Sequence, residues 1–253
     1  MALKRPLELR TLSKANRSSA PLGGFPQTVR SIDTIRTVFD RIAPDYDRFN
    51  SWASLGLHHQ WRRALVRRIP QGVRVLDEAT GTGDLALLAS AAGHEVFGLD
   101  ISEAMLTRAR QKDEERRIRW VLGSADRLPF SDRSFGCVTS AFALRNLRTQ
   151  LDAVLRENGR VLKPGGKVLH LDFGRPKSPW SRWGHRLHLR FGIPMIGWWI
   201  CQDRWPKEYL ETTIREFYDP TEMVDQLSRA GFVDVRYTPI MGGIVQLYEG
   251  MKR

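Results

Sequence analysis

From residue 72 onward, short apolar runs alternate with stretches in which apolar residues recur every three or four positions. The run "VRVL" leads to Asp77 and a glycine-rich turn, followed by "DLALLASAA" at helical spacing. "HEVFGLD" and "SEAMLTRARQK" repeat the pair, with Ser102 as N-cap and Glu103 in the first turn. "IRWVLG" and "FGCVTSAFAL" read as strands, "LRTQLDAVLRENGRVL" as a helix stopped by the turn "KPGG" at 163–166, and "KVLHLDF" as another strand. This alternation predicts an α/β fold: a mostly parallel sheet, helices on both faces, right-handed crossovers. After the helical "PTEMVDQLSRAGF" come "VDVRYTPI" and "GGIVQLYEGMK", adjacent strands expected to pair antiparallel.

Two segments break the alternation. Residues 31–70 are amphipathic and helical in pattern, a cap expected over the sheet's edge. Residues 175–207 form an insert in which Trp180, Trp183, Trp198, Trp199 and Trp205 mix with arginines, prolines and glycines.

With 253 residues and 42% hydrophobic content, the chain suits one large domain over 31–253 behind a basic tail at 1–30, expected to be disordered. The net charge is +12 and the pI about 10.3. The excess is local: six Lys/Arg against one Glu in the tail, and seven Lys/Arg against one Asp in 175–207. Such patches suit an anionic partner, phospholipid headgroups or nucleic acid; a solvated face is the plainer alternative. Cys137 and Cys201 stand far apart without metal or disulfide spacing, so no metal site is expected and a reducing compartment fits. The longest apolar stretch, "FGIPMIGWWIC" at 191–201, is too short to span a bilayer and is broken by Pro194. The N-terminus is Arg-, Ser- and Leu-rich with little acid, matching an organelle transit peptide in part and a basic bacterial tail equally.

The turn "LDEATGTGDLA" at 76–86 sits where a first strand meets a first helix, so free N–H groups and glycines allow close approach of a ligand. It satisfies a loose dinucleotide pattern, but Asp77, Glu78 and Asp84 flank it, and a pyrophosphate among carboxylates is repelled. S-adenosylmethionine carries a sulfonium and an ammonium and no phosphate, so acid around the loop favours it. Asp100, ending the next strand, is placed to accept both ribose hydroxyls, and "GSADRLPF" at 123–130 falls where adenine contacts are expected. For each acid alone, a capping or solvated carboxylate is the plainer reading.

The segments "VFDRIAPDYDRFNSWASLGLHHQWRR" (38–63), "VLDEATGTGDLA" (75–86), "LDISEAML" (99–106), "ADRLPFSDRSF" (125–135), "AFALRN" (141–146), "RVLKPGGKVLHLDFGRP" (160–176) and the terminal "GGIVQLYEGMK" resemble the C-methyltransferases of ubiquinone and menaquinone biosynthesis. That resemblance implies a class I methyltransferase: a Rossmann-like, seven-stranded, mostly parallel sheet with a C-terminal antiparallel pair, binding S-adenosylmethionine. It implies cofactor contacts at Asp77, Gly81, Thr82, Gly83, Asp100, Ile101, Ser124, Ala125 and Ala141. Its implied substrate is a polyprenylated hydroquinone methylated on a ring carbon. An anionic membrane surface, a homodimer or a quinone-synthesis complex are the implied partners, with a location on the inner face of a membrane, the matrix side if the tail is a transit peptide. Three departures stand out: Ala141 where the family usually has Ser, Gly136 where Asp is common, and "TIREFY" at 213–218 for the family's "SIRxFP".

Methylation of a ring carbon is helped by removing a proton from a ring hydroxyl, because charge then reaches the carbon. Arg145 is a poor base, but its guanidinium can hold a water or stabilise the phenolate; Asn146 can orient that water or bind the second ring oxygen; Tyr46 can hydrogen-bond the ring from the cap. Asp47 and Asn50 read as anchors for the cap. The plainer alternatives are an ion pair of Arg145 with Asp47 or Asp172, and structural roles for His58, His59 and His170. Other phenolic or lipid acceptors are the rival substrates. A nucleic-acid methyltransferase lacks support, since no Asn/Asp-Pro-Pro-aromatic motif follows strand four and neither cysteine has a Pro-Cys context, so no nucleic-acid partner is expected. A non-catalytic scaffold is the alternative outside the enzymes.

Overall fold

Residues 31–174, 178–204 and 219–253, with Pro176 and Pro206, are described by a computed structural model; the tail 1–30, Trp205 and "TIREFY" lie outside the described residues. The strands are β1 (Arg74–Glu78), β2 (Glu95–Asp100), β3 (Arg119–Leu122), β4 (Phe135–Ala141), β5 (Leu162–Phe173), β6 (Phe232–Ile240) and β7 (Val245–Lys252). They form one sheet in the order β3-β2-β1-β4-β5-β7-β6. The first five run parallel, while β7 lies antiparallel to both β5 and β6. The chain thus moves outward through β2 and β3 on one side of β1, then returns to β4 on the other. Ligands bind outside the carboxyl ends of the strands at such a switch point, here between β1 and β4.

The three cap helices, α1 (Ile32–Ile42), α2 (Tyr46–Ala53) and α3 (Leu57–Val66), follow the amphipathic pattern, with Ser31 capping α1 through Thr34 N. They do not cover the sheet's edge, which is formed by β3 and β6. The sheet's centre is more apolar than its edges and offers more area to bury: Trp61, Leu65 and Ile69 pack with Val75, Cys137 and Leu169 on one face. That face also receives α4 (Asp84–Ala91). The other face is covered by α6 (Leu151–Val161) and α9 (Pro220–Arg229), whose Leu155 and Leu227 join Phe135 and Val138. On α5 (Glu103–Lys112), Ser102 caps the helix through Met105 N as expected.

Three boundaries differ from the sequence reading. First, β4 ends at Ala141; Phe142 turns to a φ of +63° and the chain enters a 3-10 helix, Leu144–Gln150, so Arg145 and Asn146 lie beyond the strand. Secondly, "KPGG" does not separate helix from strand: β5 begins at Leu162, and the register jump between Phe135↔Leu162 and Cys137↔Lys167 bulges the turn within the strand. Thirdly, the insert is helical over 179–201: α7 (Pro179–Leu187), a π-turn His188–Gly192, and α8 (Ile193–Cys201), with α8 packed on α2 through Phe49, Ile193 and Ile200.

Candidate active site

The loop after β1 curls sharply, with Ala79 and Gly81 at φ of +49° and +59°. The curl aims Gly81 N at Asp100 Oδ2, 2.7 Å away, while Ser102 N donates to Oδ1 at 2.9 Å. Burial, with Asp40 nearby, pushes the Asp100 carboxyl up to about 6. Each oxygen keeps a second acceptor site, which suits two hydroxyls on a ribose. Asp77 is held by the hydroxyls of Thr80 and Thr139, at 2.5 and 3.0 Å. Burial pushes it up to about 7 against those two bonds, so a cationic ligand group has a carboxyl to ionise.

Two recesses flank this loop. One is a narrow cleft bordered by Gly81, Asp100, Ile101, Ser124, Ala125 and Ala141, roofed by Ile32, Ile35 and Phe39 of α1. The other is a small polar recess bordered by Asp77, Thr82 and Asp84. The predicted cofactor positions thus converge, with one exception. Gly83 borders neither recess; a Cβ there would stand 2.6 Å from Trp120 Cη2, so close packing at the start of α4 requires a glycine. Thr82 reaches its recess, but its hydroxyl is committed to Asp47. The charge argument also narrows. Glu78 points to the opposite side, where Asn158 donates to it at 3.0 Å, and Asp84 is matched by Lys112 at 2.6 Å. Of the acids that border the two recesses, Asp77 and Asp100 are bonded by no protein cation among the described residues.

Beside these recesses lies a largely apolar cavity of about 270 Å³ between α2, α3, α7 and the turn after β4. Arg145 lies in its wall, its Nη1 donating to Asp172 Oδ1 at 2.9 Å and to the Phe142 carbonyl at 2.6 Å, with the guanidinium over the Phe173 ring. The ion pair with Asp172 weighed from sequence is therefore present, and it fixes the guanidinium at the cavity. Asn146 does not share that wall. It borders the cofactor cleft, and its buried Oδ1 has no partner among the described residues, an acceptor left over at a ligand site. Tyr46 borders all three spaces and so stands at their junction.

Asp47 anchors α2 to the loop: it accepts from Thr82 Oγ1 and from Lys112 Nζ, the latter at 2.9 Å. Asn50 lines the cavity. So does His58, whose Nδ1 lies 2.5 Å from Arg62 Nη1. A guanidinium only donates, so Nδ1 accepts and Nε2 carries the proton. Burial, with Arg62 beside it, pulls His58 down to about 4, which leaves a neutral ring that donates and is no base in this tautomer. His58, His59 and Asp84 do approach one another in space, which their spacing does not reveal, but Arg62 and Lys112 already occupy the inward-facing atoms. Arg62 and Phe142 both lie in segments that carry the resemblance, yet the sequence gives neither a role; their part in the cavity wall becomes visible only when the turn after β4 folds back over α3.

The model of the ubiE/COQ5 methyltransferase family matches residues 27–252. The chain belongs to the ubiE/COQ5 methyltransferase family. It is 38% identical over 227 residues to the ubiquinone/menaquinone biosynthesis C-methyltransferase UbiE of Legionella pneumophila strain Corby, covering 86% of this chain and 90% of that one. It is 37% identical over 229 residues to the demethylmenaquinone methyltransferase of Geobacillus kaustophilus, covering 87% and 97%. Among solved structures, a SAM-dependent methyltransferase from Thermotoga maritima superposes with a TM-score of 0.62 at 19% identity, covering 87% of this chain and all of that one, a likeness of fold.

Against the ubiE/COQ5 pattern, Gly136 has a physical reason here. A Cβ at that position would stand 2.6 Å from Val73 Cβ, so an Asp has no room. Ala141 borders both recesses at the loop and offers no hydroxyl there, which leaves polar contact at that wall to Asn146 and Asp77. The donor set fits S-adenosylmethionine, the cofactor of this enzyme class: paired acceptor oxygens on Asp100, an ionisable Asp77, and an orphaned acceptor on Asn146.

Proposed function

We propose that this methyltransferase places a methyl on a ring carbon of a polyprenylated hydroquinone, demethylmenaquinol or the ubiquinol precursor, in respiratory quinone biosynthesis. One observation carries this reading: an apolar cavity adjoins the cofactor cleft across Tyr46 and Phe142 and contains the Arg145 guanidinium in its wall. An apolar chain and ring suit such a lining, and a ring oxygen suits the cation.

When bound, S-adenosylmethionine supplies an electrophilic methyl on its sulfonium. Asp100 would hold the cofactor's ribose and Asp77 its cationic end, and Tyr46 stands at the junction through which the two ligands would meet. Arg145, fixed by Asp172, lowers the cost of an anion on a ring oxygen, so the hydroxyl proton leaves to water before attack and charge reaches the ring carbon. His58 Nε2–H, set by Arg62, points to Ser51 Oγ 3.4 Å away, so this histidine helps order the cavity wall and is not needed as a donor to the ring. After transfer the ring-carbon proton passes to water, and the C–H bonding pair returns to the ring to restore aromaticity. Holding the two reactants in adjoining spaces supplies much of the rate gain.

The test is to incubate the protein with S-adenosylmethionine and each quinol, kept reduced in detergent, and to weigh the products. A gain of one methyl on either quinol is expected. No gain on both, with cofactor binding confirmed by calorimetry, overturns the reading of the acceptor.

A further inference from the structure

The helices of the insert present three distinct stripes. On α7 and the π-turn, Gly184, His185, His188 and Leu189 face the apolar cavity. Trp180, Trp183, Leu187 and Phe191, spaced three and four apart, face outward, with Trp180 83% and Trp183 64% exposed. Arg182, Arg186 and Arg190 form the third stripe, exposed and in no ion pair among the described residues. On α8, Met195, Trp198 and Trp199 continue the outward apolar face, and Trp199 meets Trp52 of α2 edge-to-face, joining insert and cap.

A contiguous apolar face of this size is costly in water. Its composition selects the occupant. Tryptophan rings settle at the headgroup level of a bilayer, and arginines beside them meet anionic lipid while their stems lie along apolar surface. The cavity mouth supplies the second argument: Leu55, 80% exposed, and Met241, 46% exposed, both line the cavity, so it opens beside the tryptophans.

We propose that the outer face of α7 and α8, with the tip of α2, docks shallowly on an anionic phospholipid bilayer and turns the cavity mouth toward the membrane. A substrate with an apolar tail then passes from the bilayer into the cavity without crossing water; that route, though not the docking, rests on the acceptor proposed above.

The experiment uses the full chain without substrate. Binding to vesicles of phosphatidylcholine with and without phosphatidylglycerol is measured by flotation for the wild type, for R182E/R186E/R190E and for W180A/W183A/W198A. None of these residues lines the cavity. At roughly 1 kcal/mol per interfacial arginine, loss of the three cations is expected to cut partitioning to anionic vesicles about 100-fold. The tryptophan variant is expected to lose binding to both vesicle types, and both variants to keep turnover on a detergent-solubilised quinol while losing it on one embedded in vesicles. Equal binding by wild type and variants overturns the proposal. So does a wild type that ignores vesicles but self-associates through this face, shown by a tryptophan variant that turns monomeric. Vesicle binding without turnover on any quinol would sink the acceptor and leave the docking surface standing.

Discussion

Asp77 is the residue whose ionisation links cofactor to pH. With its carboxyl pushed up to about 7 by burial, the free protein holds a proton there that the unfolded chain loses near pH 4. The native state then binds more protons than the unfolded one, so apoprotein stability falls as pH rises from about 4 through about 7. A cationic ligand favours the carboxylate, so S-adenosylmethionine affinity is expected to rise between pH 6 and pH 8 with proton release, read by calorimetry in buffers of different ionisation enthalpy. Affinity independent of pH there would contradict the placement of the cation at Asp77; Asp77→Asn is expected to abolish the proton release. His58, already neutral with a value of about 4, is expected to add no pH dependence above pH 6. For Arg145, simple removal strands the buried Asp172, at about 3–5 kcal/mol, so Arg145→Lys is the cleaner probe. It keeps the charge but not the fork; kcat is expected to fall about 10²–10³-fold with cofactor affinity unchanged, measured by steady-state kinetics and calorimetry. At this scale the sequence was informative for Asp100 and the glycine loop, where strand ends are fixed by pattern. It did not show that Glu78 faces Asn158 or that Trp120 packs on Gly83, because which side a strand-end residue faces and what packs on a glycine are settled by partners far along the chain.

At the scale of elements, α1 and α2 form a roof tied by side-chain bonds to the loop and to α5: Asp47 to Thr82 and Lys112, and Asp40 to Ser102. Asp47→Ala removes the α2 tie and is expected to lower kcat/KM about tenfold, the worth of one or two partly exposed hydrogen bonds, while leaving the melting temperature nearly unchanged. An unaltered kcat/KM would show that the roof holds by packing alone. At the start of β4, Gly136→Asp restores the family's residue but drives a side chain into Val73; overpacking of this kind costs about 1–3 kcal/mol, so a lower melting temperature is expected in a thermal scan. The existence of these elements was legible from periodicity, and their ends were not. The apolar run continues past Ala141 into Phe142 and Leu144, so hydropathy alone carries the strand on. The left-handed turn at Phe142 stops it and moves Arg145 to the cavity and Asn146 to the cleft.

For the whole molecule, the parallel sheet with its antiparallel end was readable because strands buried on both faces announce themselves as apolar runs. The position of the cap was not, since an amphipathic helix shows that it has a partner and not which one. The insert's aromatic and basic residues already suited an anionic surface in the sequence; what α7 and α8 add is their separation into stripes beside a cavity mouth. The central claim is transfer of a methyl to a ring carbon inside that cavity. Its most direct measurement uses S-adenosylmethionine labelled with carbon-13 in the methyl group, a reduced quinol lacking the ring methyl, and nuclear magnetic resonance of the product. A labelled methyl bonded to a ring carbon, lost with Arg145→Lys, is the predicted result; a labelled methyl on oxygen, or a ring methyl formed equally well by the variant, would contradict it.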